Sequence, residues 1–161
     1  MDNGIKNIKP TAKSGYKQGY FKPINESKYV GKMPIIYRSS WEKKFSIYCD
    51  GNPFVIKWGS EMFAVRYFNI LDEKYHTYYP DFFIRVDKNG VIKNYIVEIK
   101  PKSQITKPIP PTVNSEKARK SYMYAARTYI TNLCKIEALR KFAKEKNCEV
   151  IILTEKSKFI I

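Results

Sequence analysis

Three side chains, those of Asp81, Glu98 and Lys100, occur in a spacing that can support hydrolytic chemistry. Asp81 follows Pro80 at the start of an apolar run, and one isoleucine separates Glu98 from Lys100 in a β-type run. Because side chains alternate between the two faces of a strand, Glu98 and Lys100 are expected on one face, about 6–7 Å apart. Two carboxylates and an ammonium group that converge can hold a divalent cation and position a water molecule.

The charge of the chain indicates a substrate for such a site. Thirty lysines and arginines against fifteen acidic residues give a formal net charge of +15. Neutralising backbone phosphates releases condensed counterions, so this excess favours a nucleic acid partner, and the predicted substrate is a phosphodiester. The alternative is a basic protein without a polyanionic partner. Carboxylate oxygens favour Mg²⁺ as the cofactor, with Mn²⁺ as a substitute, because Mg²⁺ needs only one or two protein carboxylates.

The cysteine and histidine content argues against other kinds of site. Cys49, Cys134 and Cys148 show no C-x-x-C spacing, which indicates a reducing compartment and argues against a disulfide framework or a zinc site. His76 is the single histidine, which also argues against a Ser-His-Asp triad. The N-terminus lacks the apolar segment of a signal peptide, and no apolar run approaches the ~20 residues of a membrane span. We therefore expect a protein that is not secreted and has no membrane partner.

The elements that must position these side chains are predicted to form one α/β domain after an N-terminal arm. Residues 1–32 are basic and contain scattered aromatics without a regular period. They are predicted to be a flexible arm that contacts a nucleic acid backbone, or else a solvated tail pinned by a few aromatics. Residues 33–161 form the predicted domain.

Hydrophobic periodicity predicts the order α-β-β-β-α-β in this domain. Trp41, Phe45 and Tyr48 lie at i, i+4 and i+7, which is one face of a helix capped by a preceding serine. The remaining segments are a β-like stretch at 55–58, strands at 62–68, 77–86, 91–100 and 150–153, a turn at 69–76 and a hairpin turn at 87–90. A helical region from residue 115, either one helix or two with a break at 131–132, precedes the last strand. That strand can therefore join a mixed sheet.

Several motifs of the chain resemble the signature of the PD-(D/E)xK nuclease superfamily. Pro80-Asp81 and Glu98-Ile99-Lys100 match the signature itself, and Glu42 resembles the glutamate on an upstream helix of many members. Longer segments resemble the head-completion nucleases of T-even-like tailed phages and the related endonuclease subunits of bacterial cut-and-paste transposons. These segments are residues 37–42, 55–58, 76–83, 97–101 and 152–155. The resemblance spans about residues 35–156 and leaves out the arm.

The resemblance implies a restriction-endonuclease-like core, in which a central mixed β-sheet is flanked by helices. It also implies metal-dependent DNA cleavage at a site formed by Glu42, Asp81, Glu98 and Lys100. The metal is expected on the carboxylates of Asp81 and Glu98 and on the carbonyl of Ile99, with Glu42 as an extra ligand or a contact through water. Lys100 is expected to orient the attacking water or to stabilise developing negative charge.

Further residues are candidate DNA contacts. Arg38 can clamp a phosphate or pair with Glu42, and His76 can face a phosphate or be an ordinary surface or packed residue. Gln104 follows the E-x-K strand, where some nuclease cores place another polar residue. The basic side chains that can form a DNA-facing rim, rather than a solvated helix face, are Lys107, Lys117, Arg119 and Lys120.

Two functions are compatible with these features. The leading prediction is a metal-dependent endonuclease that cuts double-stranded, branched or flapped DNA, and the resemblance implies a role in phage head completion after packaging. The alternative is a non-catalytic DNA-binding head-completion protein that keeps the nuclease fold as a scaffold. A transposon-end nuclease is a third option and would require a partner protein. The resemblance further implies portal or head proteins as partners, a homodimer that cuts both strands, and a location in the host cytoplasm or the virion.

Overall fold

The structure of the chain, a computed structural model, describes residues 18–159. The helices are α1 (Ser40–Gly51), α2 (Lys102–Ile105) and α3 (Glu116–Glu145). The strands are β1 (Gly19–Phe21), β2 (Ile35–Tyr37), β3 (Val55–Ser60), β4 (Val65–Asn69), β5 (Lys74–Tyr78), β6 (Phe82–Lys88), β7 (Val91–Ile99) and β8 (Glu149–Leu153). A single 3₁₀ turn covers Glu26–Lys28. Across residues 18–159, no helix has both the length and the apolar character needed to cross a bilayer.

The central sheet has four strands in the order β3-β6-β7-β8. β3, β6 and β7 are antiparallel neighbours, whereas β8 pairs parallel to β7. The parallel pairing follows from the long α3 that separates the two strands, because parallel neighbours need a crossover connection. The predicted α/β core, a mixed sheet flanked by helices, is therefore confirmed.

Helix α1 covers one face of this sheet with aromatic side chains. Ser39 is its N-cap, since its Oγ accepts a hydrogen bond from the main-chain N–H of Glu42 at 3.1 Å. Phe45 is fully buried, and Trp41 and Tyr48 are partly buried beside it, as the helical period predicts. We call this side of the sheet the α1 face.

Helix α3 covers the opposite side, which we call the α3 face. Its Leu139 and Ala143 belong to one buried cluster with Ile96 of β7 and Val65 of β4. The neighbours of Ile96 along β7, Val97 and Tyr95, belong instead to the cluster on the α1 face. Alternate residues of β7 therefore face different helices, which decides where each polar side chain of that strand points.

Two predicted boundaries in the middle of the chain are wrong. The strand expected at 77–86 is divided into β5 and β6, because Pro80 has no N–H to donate to a ladder. β5 pairs antiparallel with β4 in a separate hairpin, so part of the turn expected at 69–76 is strand.

Two other features of the predicted order are also decided by the structure. The region from residue 115 is one continuous helix without a break at 131–132. The hairpin turn between β6 and β7 is confirmed.

The described part of the predicted arm, residues 18–32, is packed against the domain. β1 pairs antiparallel with β2, and the buried carboxylate of Asp50 accepts main-chain N–H bonds from two residues of this segment. Tyr29 meets the ring of Trp58 edge-on at 4.8 Å between centroids. A flexible arm is therefore wrong for these residues, and a tail pinned by aromatics describes them better. The rest of the predicted arm lies outside the described residues.

Candidate active site

Asp81 and Glu98 lie opposite each other at the end of the sheet. The β6–β7 register pairs Phe82 with Val97, so its continuation by one residue sets Asp81 opposite Glu98. Opposed residues of an antiparallel pair project from the same face. Lys100, two residues after Glu98, points to that face as well. The two carboxylates predicted to share a cation are thus on one side of the sheet.

A hydrogen bond and an ion pair hold the two carboxylates in place and leave one buried oxygen of Glu98 without a partner. Asp81 Oδ2 accepts the main-chain N–H of Ile99 at 2.6 Å. Glu98 is 2% exposed, and its Oε1 lies 2.7 Å from Lys100 Nζ. Glu98 Oε2 is buried and has no hydrogen-bond partner. An unpartnered buried carboxylate oxygen is costly, so this atom marks a position where a cation or its water would be stabilising.

The electrostatics of the site also favour a cation. Burial, and then the neighbouring Glu98 carboxylate, raise the pKa of Asp81 to about 8 from an ordinary 3.8. Burial disfavours the charge on Lys100, but the carboxylates of Asp81 and Glu98 outweigh this and raise the pKa of Lys100. The lysine is therefore protonated, and its single charge would not fully offset both carboxylates ionised together, which is why Asp81 keeps its proton up to about pH 8. A divalent cation would relieve the remaining repulsion.

Glu42 approaches this site from the N-terminus of α1. Its Oε2 accepts the main-chain N–H of Arg38 at 2.7 Å, and its Oε1 accepts the hydroxyl of Ser39 at 2.9 Å. Burial raises the pKa of Glu42, and its carboxylate acts electrostatically on Asp81. Within residues 18–159, no group of three or more His, Cys, Asp or Glu side chains is placed to hold a metal ion. A contact through water therefore fits Glu42 better than direct ligation, which stays a prediction.

Of the two roles predicted for the Arg38 side chain, the pairing with Glu42 is wrong. The Arg38 guanidinium instead grips Glu61 with two bonds, Nε to Oε1 at 2.9 Å and Nη2 to Oε2 at 3.2 Å. Glu61 in turn donates its main-chain N–H to the carbonyl of Asp81 at 3.1 Å. Arg38 and Glu61 therefore connect the start of α1 with the segment that carries Asp81.

The remaining DNA-contact candidates lie in three other places. His76 is on β5, where its Nε2 is 2.8 Å from Asp72 Oδ2 and its ring stacks on Tyr67. Both contacts are with residues of the β4–β5 hairpin, so His76 has a structural role there. Gln104 is on α2, and its main-chain carbonyl accepts a bond from the buried Asn132 of α3 at 3.1 Å. The polar role predicted for the Gln104 side chain remains untested.

The four basic side chains of the predicted rim are exposed. Exposure is compatible with a DNA-facing rim and with a solvated helix face alike. Lys117, Arg119 and Lys120 are on the first turns of α3, and Lys107 is in the segment that precedes it. Lys120 pairs with Glu116 one turn away at 2.6 Å. Exposed pairs of this kind are weak, so Lys120 stays available for a phosphate.

Two residues near the carboxylates were not predicted from the sequence. Tyr78, the last residue of β5, and Lys135, in the middle of α3, both interact electrostatically with Asp81 and Glu98. Burial, together with those two carboxylates, raises the pKa of Tyr78, so its hydroxyl is protonated. Tyr78 directly precedes the Tyr79-Pro80-Asp81 segment, and this closeness in sequence to Asp81 could have identified it as a neighbour of the site. Lys135 lies within an apolar helical stripe and gave none.

The residues at the end of the sheet fit a hard divalent cation. The donor set consists of carboxylate oxygens, one of them buried and unpartnered, with the carbonyl of Ile99 next to them in sequence. Lys100 adds a protonated group that can bind an anion beside the cation. Such a combination can bind a phosphate, align a water and stabilise a developing negative charge.

Comparison with known proteins agrees with this geometry. The family model described as TnsA-like endonuclease N terminal matches residues 52–155, which include Asp81, Glu98 and Lys100. The head completion nuclease of Enterobacteria phage T4 is 36% identical over 138 residues, which cover 85% of this chain and 90% of that protein. No solved structure matches the chain. From the family model and this relative together, the chain belongs to the TnsA-like endonuclease family.

Proposed function

We propose that this protein is a metal-dependent endonuclease that hydrolyses phosphodiester bonds in DNA and acts in phage head completion. The observation that carries the proposal is the opposed pair of Asp81 and Glu98, with one buried oxygen unpartnered and Lys100 alongside. The family supports endonuclease chemistry, and the name of the T4 relative supports the biological setting.

Each residue of the site has a distinct task in this proposal. Asp81 and Glu98, with the Ile99 carbonyl, would hold Mg²⁺ or Mn²⁺. When bound, the cation supplies Lewis-acid polarisation of the phosphate and a water of lowered pKa. Lys100 stays protonated beside the carboxylates, so it can donate hydrogen bonds to the phosphate and stabilise the charge that develops there. Glu42, fixed at the N-terminus of α1, would align a water at the same site.

The overall charge supports DNA as the substrate. A formal charge of +15 attracts a polyanion before any specific contact forms, and it makes binding strongly dependent on salt. We propose that the DNA is met after packaging, and that head or portal proteins bring the enzyme to it.

Plasmid nicking tests this function directly. Supercoiled DNA is incubated with the wild-type protein in Mg²⁺, in Mn²⁺ and in EDTA, and the rate of nicking is measured. Asp81→Asn and Glu98→Gln should each lower the rate by at least about 10²–10³-fold. The matched control is Glu149→Gln, because Glu149 is exposed and pairs with Lys93 on the surface. Glu149→Gln removes one negative charge from β8, the strand next to β7, and should leave the nicking rate unchanged.

The outcomes separate the two candidate functions. Cleavage by Glu98→Gln at the wild-type rate, or cleavage in EDTA, would exclude the proposed site. DNA binding without cleavage in either metal would instead favour the structural head-completion protein. Circular dichroism of each variant shows whether a lost activity reflects lost folding.

A further inference from the structure

A second lysine reaches the active-site end of the α3 face. Leu139 of α3 and Ile96 of β7 share one buried cluster. Two residues further along β7, about 6–7 Å, lies Glu98, and one helical turn back along α3, about 5.4 Å, lies Lys135. Lys135 also interacts electrostatically with Lys100, Glu98 and Asp81, as expected for a side chain close to them. The fold thus places it over the candidate site.

Two tyrosines hold Lys135 in this position. Its Nζ lies 5.6 Å from the ring centroid of Tyr67 and 5.5 Å from that of Tyr78. The Tyr78 hydroxyl donates a hydrogen bond to the main-chain carbonyl of Lys135 at 3.1 Å. Tyr67 and Tyr78 also meet edge-on, with 5.7 Å between centroids. Together they form an aromatic cradle, made of β4 and β5, that restricts a normally flexible side chain.

The charge of Lys135 has no anionic partner among the described residues. Of the ion pairs found within residues 18–159, none includes Lys135. Its residue is only partly exposed, so water solvates the ammonium less well than at an open surface. Burial, and then the nearby charge of Lys100, lower the pKa of Lys135. An ammonium group held in this way would gain from binding an anion.

We propose that Lys135 is a substrate-binding residue that contacts a backbone phosphate of DNA next to the scissile one. This inference rests on the proposed function, because it takes DNA as the substrate. Lys100 is bound to Glu98 Oε1, whereas Lys135 is held on aromatic faces and keeps its three N–H donors. The two lysines would then divide the work, with Lys100 at the reacting phosphate and Lys135 fixing the register of the strand.

A simpler explanation is that Lys135 only offsets the negative charge of Asp81 and Glu98. That role predicts that removal of its charge strengthens the binding of a divalent cation and, in the Asp81→Asn background, leaves DNA binding in EDTA unchanged. The proposed role predicts weaker DNA binding in EDTA in that background as well. Binding without metal in the Asp81→Asn background therefore distinguishes the two explanations without relying on activity.

The experiment measures binding of the full-length protein to a short fluorescent DNA duplex in EDTA, by anisotropy, over a series of salt concentrations. Lys135→Met should weaken binding about 5- to 20-fold and reduce the salt slope by about one. Lys135→Arg should recover most of the affinity, because it keeps the charge on the aromatic cradle. The matched control is Lys141→Met on the same helix, since Lys141 is exposed and pairs with Glu137. It should change the affinity less than about twofold.

Equal affinities for Lys135→Met and Lys141→Met would overturn the proposal. So would equal losses in the Met and Arg variants together with a lower melting temperature, because that result indicates packing rather than charge. If Lys135→Met weakens binding but the wild-type protein cuts no DNA in Mg²⁺ or Mn²⁺, then the nuclease proposal fails and the phosphate contact stands. If the wild-type protein cuts DNA and Lys135→Met raises neither KM nor the dissociation constant, then the phosphate contact alone fails.

Discussion

The two faces of the central sheet are built from different side chains. On the α1 face, Phe45 and Trp58 are fully buried and Phe82 meets Phe45 edge-on at 4.9 Å. On the α3 face, a small apolar cluster ends where Asp81 and Glu98 begin. Aromatic rings also pack beside the second cluster, where Phe63 and Phe142 lie 5.5 Å apart between centroids. The second face differs because it ends in carboxylates where further apolar packing would be possible.

This difference indicates that much of the stabilising core and the proposed active site lie on different faces of one sheet. Burying aromatic area stabilises the fold, and burying like charges close together opposes it. The α3 face carries apolar packing and buried carboxylates together, so it must rely on the α1 face for part of the stability of the sheet. Substitutions on the α1 face should therefore lower stability without changing the rate of cleavage. Substitutions of the carboxylates at the end of the α3 face should lower the rate of cleavage without lowering stability.

The largest stability effect is expected at Phe45. Phe45→Ala removes a fully buried ring and should lower the free energy of unfolding by about 3–5 kcal/mol, as measured by urea denaturation. The nicking rate per folded molecule should stay near the wild-type value. Phe45→Leu, which leaves a smaller cavity, should give a smaller loss and keeps the test usable if the alanine variant does not fold. A stable Phe45→Leu variant with a greatly reduced nicking rate would mean that the two faces are not separable.

The α1 face was also the easier one to predict from the sequence. The period of Trp41, Phe45 and Tyr48 identifies α1 because a single rule, apolar residues at helical spacing, decides it. The boundary at Pro80 was missed because the residues on both sides are β-formers. Pro80 signals a break in the ladder, but the pairing of β5 with β4, a tertiary contact, shows that the chain changes sheets there.

The site was predicted where it depends on strand geometry and missed where it depends on distant contacts. Glu98 and Lys100 share a face because they are two residues apart, which the sequence displays directly. The partner of Arg38 is Glu61, and their separation of 23 residues follows no local rule. Lys135 reaches the site only because α3 crosses the sheet in one particular register, which its own sequence does not reveal.

Asp81→Asn should give the second-largest effect and shows the opposite behaviour on the α3 face. The folded-state pKa of Asp81 is about 8 and its ordinary value is 3.8, so the folded protein binds this proton more tightly than the unfolded chain does. Its contribution therefore favours folding at low pH, and stability is lost as the pH rises from about 4 to about 8. In EDTA at pH 8 and above, Asp81→Asn should melt about 5 °C above the wild-type protein. The difference should shrink steadily toward pH 4.

A divalent cation provides the control for this prediction. A cation that binds the folded wild-type protein stabilises it by mass action, so Mn²⁺ should raise the wild-type melting temperature at pH 8. It should have little effect on Asp81→Asn, which lacks one of the proposed ligands. An Asp81→Asn variant that melts below the wild-type protein at pH 8 in EDTA would show that this carboxylate stabilises the fold, and the contrast between the faces would lose its basis.

Glu61→Gln should have the smallest effect, and it tests the link between the two faces. Arg38 and Glu61 have side chains about two-fifths exposed, so their ion pair contributes no more than about 1 kcal/mol to stability. In the free protein, however, Glu61 occupies a guanidinium that was predicted to clamp a phosphate. Releasing the Arg38 guanidinium should tighten DNA binding in EDTA about two- to threefold beyond the effect of the added charge.

Two further variants serve as controls for Glu61→Gln. Glu149→Gln makes the same change in net charge far from Arg38, so it measures the effect of the added charge alone. Arg38→Gln in the Glu61→Gln background should remove the gain, because a freed guanidinium is its only proposed source. Equal affinities for Glu61→Gln and Glu149→Gln would mean that Arg38 only joins α1 to the Asp81 segment.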